Sequence, residues 1–140
     1  MAQKNKKGPI LEALFFLLIA RLALQLFPFK RVVNWMVASV RGPERKGEVR
    51  EQARQEVGGA IRAIHRRYPS LSTCLYRAIA AQAMLRRRGV SVTLYYGART
   101  LTGRGLVAHA WVMDGEQGVI GHWVARKDKY HLLARYPEPE

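Results

Sequence analysis

The sequence predicts an α+β fold, with helices up to Arg88 and an antiparallel sheet after it. Two observations carry that prediction. Apolar residues recur at three- and four-residue spacings through Arg88, the period of a helix face. After Gly89 the period changes to two: Val90, Val92, Leu94 and Tyr96 alternate with Ser91, Thr93 and Tyr95. Helices first and hairpin-linked strands second argue against a parallel, doubly wound sheet. At 140 residues the chain suits one compact domain, and 49% hydrophobic content excludes global disorder. Within it, residues 1–43 read as an apolar helical region and residues 44–140 as the core.

Ile10 to Phe27 is almost wholly apolar and reads as a helix. Its uncharged run, Ala13 to Ala20, lies between Glu12 and Arg21. That is well short of the roughly 20 apolar residues a spanning helix needs. Three fates stay open: a buried or partner-docking helix, a helix at a membrane interface, and a targeting signal, although no clear small-residue cleavage site follows. Pro28 breaks the pattern, and Phe29 to Val40 is a second helical segment with Val32, Val33, Met36 and Val37 on one side. Arg41-Gly42-Pro43 is a turn signal. Glu44 to Tyr68 carries one apolar stripe, Ala53, Val57, Ile61, Ile64 and Tyr68, and Pro69 stops it. Cys74 to Arg88 is an Ala-rich helix capped by Ser72 or Thr73, with Gly89 at its C′ position. Strands are expected from Val90 to Gly97, Leu106 to Met113, Gly118 to Val124 and Tyr130 to Tyr136. Residues 99–105 are expected to loop, and Asp114-Gly115-Glu116-Gln117 to turn.

Lys plus Arg number 24 and Asp plus Glu 10, for a net charge of +14. Such a balance favours a polyanionic surface, an acidic peptide or an anionic membrane as partner. No helix-turn-helix or RNP pattern appears, and the aromatics are not interleaved with the basic residues, so nucleic acid is not the expected partner. A single cysteine excludes an intrachain disulfide and Cys-based zinc sites. The four histidines and ten carboxylates show no metal-ligand spacing such as HExxH, so no metal is expected, and Cys–His thiol chemistry requires no organic cofactor.

Cys74 sits on the first turn of its helix, where unpaired N–H groups and the helix dipole favour a thiolate. The competing reading is a small buried hydrophobe. His65 and His131 read as surface residues. His109 differs: it lies in the apolar strand VAHAWVM, flanked by alanines, with Trp111 on the same face. Its alternative is a core histidine bonded to backbone. A helix-tip cysteine followed by a strand histidine is the spatial recipe of papain-like and transglutaminase-like sites.

At these residues a resemblance becomes specific. Cys74-Leu75-Tyr76-Arg77-Ala78, Met84 through Val90, Ala108-His109-Ala110-Trp111-Val112 and Asp114-Gly115 resemble the transglutaminase-like leader peptidase of lasso-peptide biosynthesis, in its catalytic portion. Leu26 to Arg31 is similar to the same family. The resemblance implies a cysteine peptidase that cuts the leader from a ribosomally made precursor peptide, with Cys74 as nucleophile and His109 as general base and acid. It implies the split type, whose partners are a separate small leader-recognition protein and an ATP-dependent macrolactam cyclase. The expected location is cytoplasmic, or peripheral at the inner face of the membrane through the apolar residues 10–27. The third catalytic member is open. The strand after the histidine, around Val119 to His122, has no carboxylate. His122, Asp128, Asp114, a backbone carbonyl or water are the alternatives, and a Cys–His dyad is another. Set against this reading are two without catalysis: a basic nucleic-acid-binding module, and a membrane-docked accessory protein. Arg86 to Arg88 either complement the helix dipole or, with Arg99 and Arg104, hold an acidic leader or partner.

Overall fold

The computed structural model describes residues 7–39, 47–69, 73–103, 105–115, 117–122 and 129–136. Four helices come first: α1 (Lys7–Leu26), α2 (Phe29–Ser39), α3 (Glu48–Arg67) and α4 (Cys74–Arg87). Four strands follow: β1 (Thr93–Leu101), β2 (Gly105–Asp114), β3 (Gln117–Ile120) and β4 (His131–Tyr136). They form one antiparallel sheet in the order β3-β2-β1-β4. The expected α+β architecture is the observed one.

α4 is the central element. Every residue from Ala78 to Leu85 is buried, so this helix is apolar on all sides, as a helix enclosed by neighbours must be. Its alanines let α1, α3 and the sheet approach closely. Gln82 is the polar exception, and its amide donates to the carbonyls of Val92 at 3.3 Å and Tyr136 at 2.8 Å. That satisfies a group whose burial unpaired costs about 1–3 kcal/mol, and it ties α4 to the start of β1 and the end of β4, which are neighbours at one end of the sheet. The helix ends as the sequence implies. Gly89 has φ 79°, and the N–H groups of Val90 and Gly89 return to Leu85 and Arg86 in a Schellman arrangement.

The stripe on α3 (Ala53, Val57, Ile61, Ile64) is buried, while Tyr68 is exposed just past the helix end. α1 contributes Ala13, Phe16, Leu17 and Ala20 to the same core, and α2 contributes Val32 and Val33. Glu12 fastens α1 to the end of α4 by pairing with Arg87 and, at 2.5 Å, with Arg88, which also reaches Glu56 of α3 at 3.2 Å. Arg87 and Arg88 therefore serve helix–helix contacts within the chain.

In the sheet, Leu94, Tyr96, Ala110 and Val112 face the helices, and Tyr95, Gly97, His109 and Trp111 lie on the opposite parity. The expected loop at 99–105 is mostly strand. Arg99, Thr100 and Leu101 pair with Val107, Leu106 and Gly105, because Gly103 (φ 84°) and Gly105 (φ 73°) tighten the reversal. β3 is shorter than the Gly118–Val124 segment expected. It ends at Ile120, since Gly121 turns at φ 73°. That shortness matters, because pairing of β3 with β2 stops at Val112.

Candidate active site

Cys74 is the first residue of α4, directly after its N-cap Thr73, whose hydroxyl accepts from the Tyr76 N–H at 3.5 Å. The thiol is half-buried and lies at β2, where its sulfur is hydrogen-bonded to the His109 side chain and receives the Ala110 backbone N–H. Both contacts fall on the part of β2 that lies beyond its pairing with β3. The helix tip thus meets β2 where the neighbouring strand has ended.

His109 is buried, at 6% exposure, and its Nε2 lies 2.8 Å from the Gly121 carbonyl. A carbonyl only accepts, so Nε2 carries hydrogen and Nδ1 is the nitrogen left for the sulfur. The ring stacks on Trp111 at 5.8 Å and 16°, and lies 5.3 Å from the Tyr130 ring at 37°. Trp111 in turn stacks on Tyr95. Gly97, opposite His109 across β1, makes room for this wall. A Cβ there would come within 3.0 Å of the Trp111 ring and 2.7 Å of the His131 carbonyl.

Electrostatics bias the pair toward its charged form. Burial pushes the Cys74 thiol up, but the hydrogen bond from His109, the Ala110 N–H and the positive charges of His109 and Arg77 outweigh it, and the net shift is downward. Burial pushes His109 down, but the Cys74 hydrogen bond, the Gly121 carbonyl and the thiolate charge outweigh it, against an opposing push from Arg77, and the net shift is upward. Opposite displacements widen the pH range in which thiolate and imidazolium coexist.

The other sequence-derived positions are placed as follows. Asp114 is not at His109. Its carboxylate is held by Arg50 (2.9 and 2.5 Å) and by Arg54 of α3 (2.5 Å), so it clamps α3 to the end of β2. His122 follows Gly121, and its ring lies over Gly118, where a Cβ would sit 1.9 Å from the ring. Asp128 lies outside the described residues. The group on the far nitrogen of His109 is a backbone carbonyl, one of the alternatives left open above. Two further participants are new. Arg77 stands one helical turn after Cys74, within electrostatic reach of both sulfur and imidazole; its Nε is buried without a hydrogen-bond partner among the described residues. The i,i+3 spacing from Cys74 was the available signal for it. Tyr130 is the imidazole's second aromatic neighbour, and Arg99 lies over the Tyr130 ring at 5.9 Å. Arg99 also lines a cavity of about 440 Å³, with Ala98, Thr100, Leu106, Lys129, His131 and Leu133; Cys74 and His109 are not among its lining residues. Among the described residues no group of three or more His, Cys, Asp or Glu side chains is placed to hold a metal ion.

The Asp114 clamp carries a stability prediction. Burial pushes its carboxyl up, but Arg50 and Arg54 hold it below the usual carboxylate range. A carboxyl lowered by folding stabilises the fold above its unfolded pKa of about 3.9, and that contribution is lost as pH falls through the folded value. Asp114→Asn is expected to cost about 1–3 kcal/mol at neutral pH, because two guanidinium groups lose their counter-charge. Urea melts should show the two proteins converging in acid; a variant as stable as the parent at pH 7 rejects the clamp.

A helix-tip thiol hydrogen-bonded to a strand imidazole, on an α+β scaffold, is the arrangement that thiol-dependent hydrolases and acyl transferases use. The family model described as "Transglutaminase-like superfamily" matches residues 16–135, and the chain belongs to that superfamily. The chain matches no curated protein and no solved structure.

Proposed function

We propose that this protein is a cysteine peptidase that removes the leader from a lasso-peptide precursor. The observation that carries the peptidase reading is the Cys74–His109 hydrogen bond, with the Ala110 N–H on the sulfur and the Gly121 carbonyl on Nε2. The motif resemblance around these residues carries the substrate.

In this reading the Cys74 thiolate attacks the scissile carbonyl carbon, and the carbonyl electrons move to oxygen. The Cys74 N–H lies in the first turn of α4, where amides have no intrahelical acceptor, and it is the donor offered to that oxyanion. Collapse of the intermediate breaks the C–N bond, and imidazolium Nδ1 gives its proton to the leaving amine. His109 then takes a proton from water, the hydroxide attacks the thioester carbonyl, and the thiolate leaves. The wall of Trp111 and Tyr130 and the Gly121 carbonyl hold the ring's plane and tautomer throughout.

The cavity lined by Arg99 is cationic through that residue and Lys129 and apolar through Leu106 and Leu133. It suits a peptide with acidic and aliphatic side chains. A separate leader-recognition protein delivers the precursor, and an ATP-dependent cyclase consumes the freed core peptide. The test is incubation of the full chain with precursor and recognition protein, read by mass spectrometry. The expected products are two peptides whose summed mass exceeds the precursor's by one water. A product joined to an added primary amine, with no hydrolysis, would replace the peptidase reading by acyl transfer.

A further inference from the structure

We propose that the outer face of α1, with Phe27 and Trp35, is a docking surface for an anionic lipid bilayer on which the protein lies without crossing it. Leu11, Phe15, Leu18, Leu22 and Leu26 are spaced by four, three, four and four residues, so they form a single stripe along the helix. Together with Phe27 and Trp35 they are 49–69% exposed. Five large apolar side chains in one stripe, with Phe27 and Trp35 exposed on the segment that follows, exceed the scattered exposure that a soluble monomer tolerates.

The charges around the stripe select the occupant. Between Gly8 and Trp35 the chain has one acid, Glu12, and it is turned inward onto Arg87 and Arg88. The exposed charged residues of this segment are Arg21, Lys30 and Arg31, all cationic. An exposed apolar stripe in a segment whose exposed charges are all cationic, with an exposed phenylalanine and tryptophan in the residues that follow it, matches the interface of a bilayer containing anionic lipid. A second copy of the chain would bring like charges together, at +14 per copy.

The other face of α1 fixes the orientation. By length and composition Gly8–Leu26 could cross a membrane. However, Ala13, Phe16, Leu17 and Ala20 are packed in the core, and Glu12 is paired with two arginines. A spanning pose would strip these residues from their partners and carry a carboxylate into hydrocarbon. A helix held along one side by protein presents its remaining side to the lipid surface.

The full chain is tested by flotation with neutral phosphatidylcholine vesicles and with vesicles that also contain phosphatidylglycerol, at low and high salt. The anionic vesicles should carry the protein, high salt should weaken binding, and a Trp35-dependent blue shift, absent in Trp35→Phe, should accompany it. Leu18→Glu with Leu22→Glu should weaken binding at least about tenfold. A thermal melt matching the parent's shows that this double variant is folded. Should it not fold, Arg21→Ser with Arg31→Ser takes its place and should abolish the preference for anionic vesicles. Failure of the parent to bind anionic vesicles, lipid binding unaltered in a folded variant, or resistance to alkaline carbonate extraction each overturns the proposal. So does a lipid-free dimer that the leucine variants dissociate, or an acidic protein that alone occupies the stripe.

Discussion

Cys74→Ala is expected to lower the proposed leader cleavage by about a thousandfold or more, with the fold intact. The site is half-buried and the sulfur is replaced by hydrogen, so packing changes little. His109→Ala should be nearly as damaging, because the thiol loses both its base and the donor that stabilises its anion. The two variants together should cost little more than either alone, since they disable one unit. A substrate-independent measurement separates the roles. In the parent, alkylation of Cys74 by iodoacetamide should reach its plateau below the pH typical of a free thiol, about 8.5. In His109→Ala the push from burial remains while the hydrogen bond and imidazolium charge are gone, so the midpoint should move above the parent's. Equal alkylation profiles would mean that the sulfur and ring do not communicate, and the proposed chemistry would fail with them.

Gly121→Ala should be the most damaging change outside the pair itself. Gly121 has φ 73°, where an L side chain is strained by about 1–2 kcal/mol. A Cβ there would meet the Ala110 carbonyl at 2.9 Å and His109 Nε2 at 3.1 Å. The backbone must move, and the carbonyl that fixes the imidazole moves with it. A shift near 1 Å at a catalytic group costs about a hundredfold in rate, which sets the expected loss of turnover. The diagnostic readout is the His109 titration by NMR. Its upward displacement comes partly from the Gly121 carbonyl, so its pKa should fall in the variant. Lower stability with an unchanged His109 titration and rate would assign Gly121 to the turn alone.

Legibility differed between the elements for physical reasons. The N-terminus of α4 was readable because capping chemistry is local: Thr73, the apolar run and Gly89 lie within one segment. The stripe on α3 was readable because burial of one helix face imposes a period. The 99–105 segment reads as loop because its polarity reflects an exposed hairpin end, while two positive-φ glycines keep its strands paired. Asp114 was an orienting candidate by sequence proximity to His109. Its arginine partners lie 64 and 60 residues away in the chain, and no local pattern reveals them. The Gly121 carbonyl has no side-chain signature at all.

Sequence alone determined the order of helices and strands, the capped helix that begins with a thiol, and the strand face shared by His109 and Trp111. Those features follow from periodicity and from hydrogen bonds within a few residues. Only the tertiary structure decided which backbone atom holds the imidazole, which charges close on Asp114, and that α1 keeps one apolar side in the core and leaves the other bare. Such outcomes depend on groups distant in the chain being brought together, and long-range packing leaves no period for a linear reading to detect.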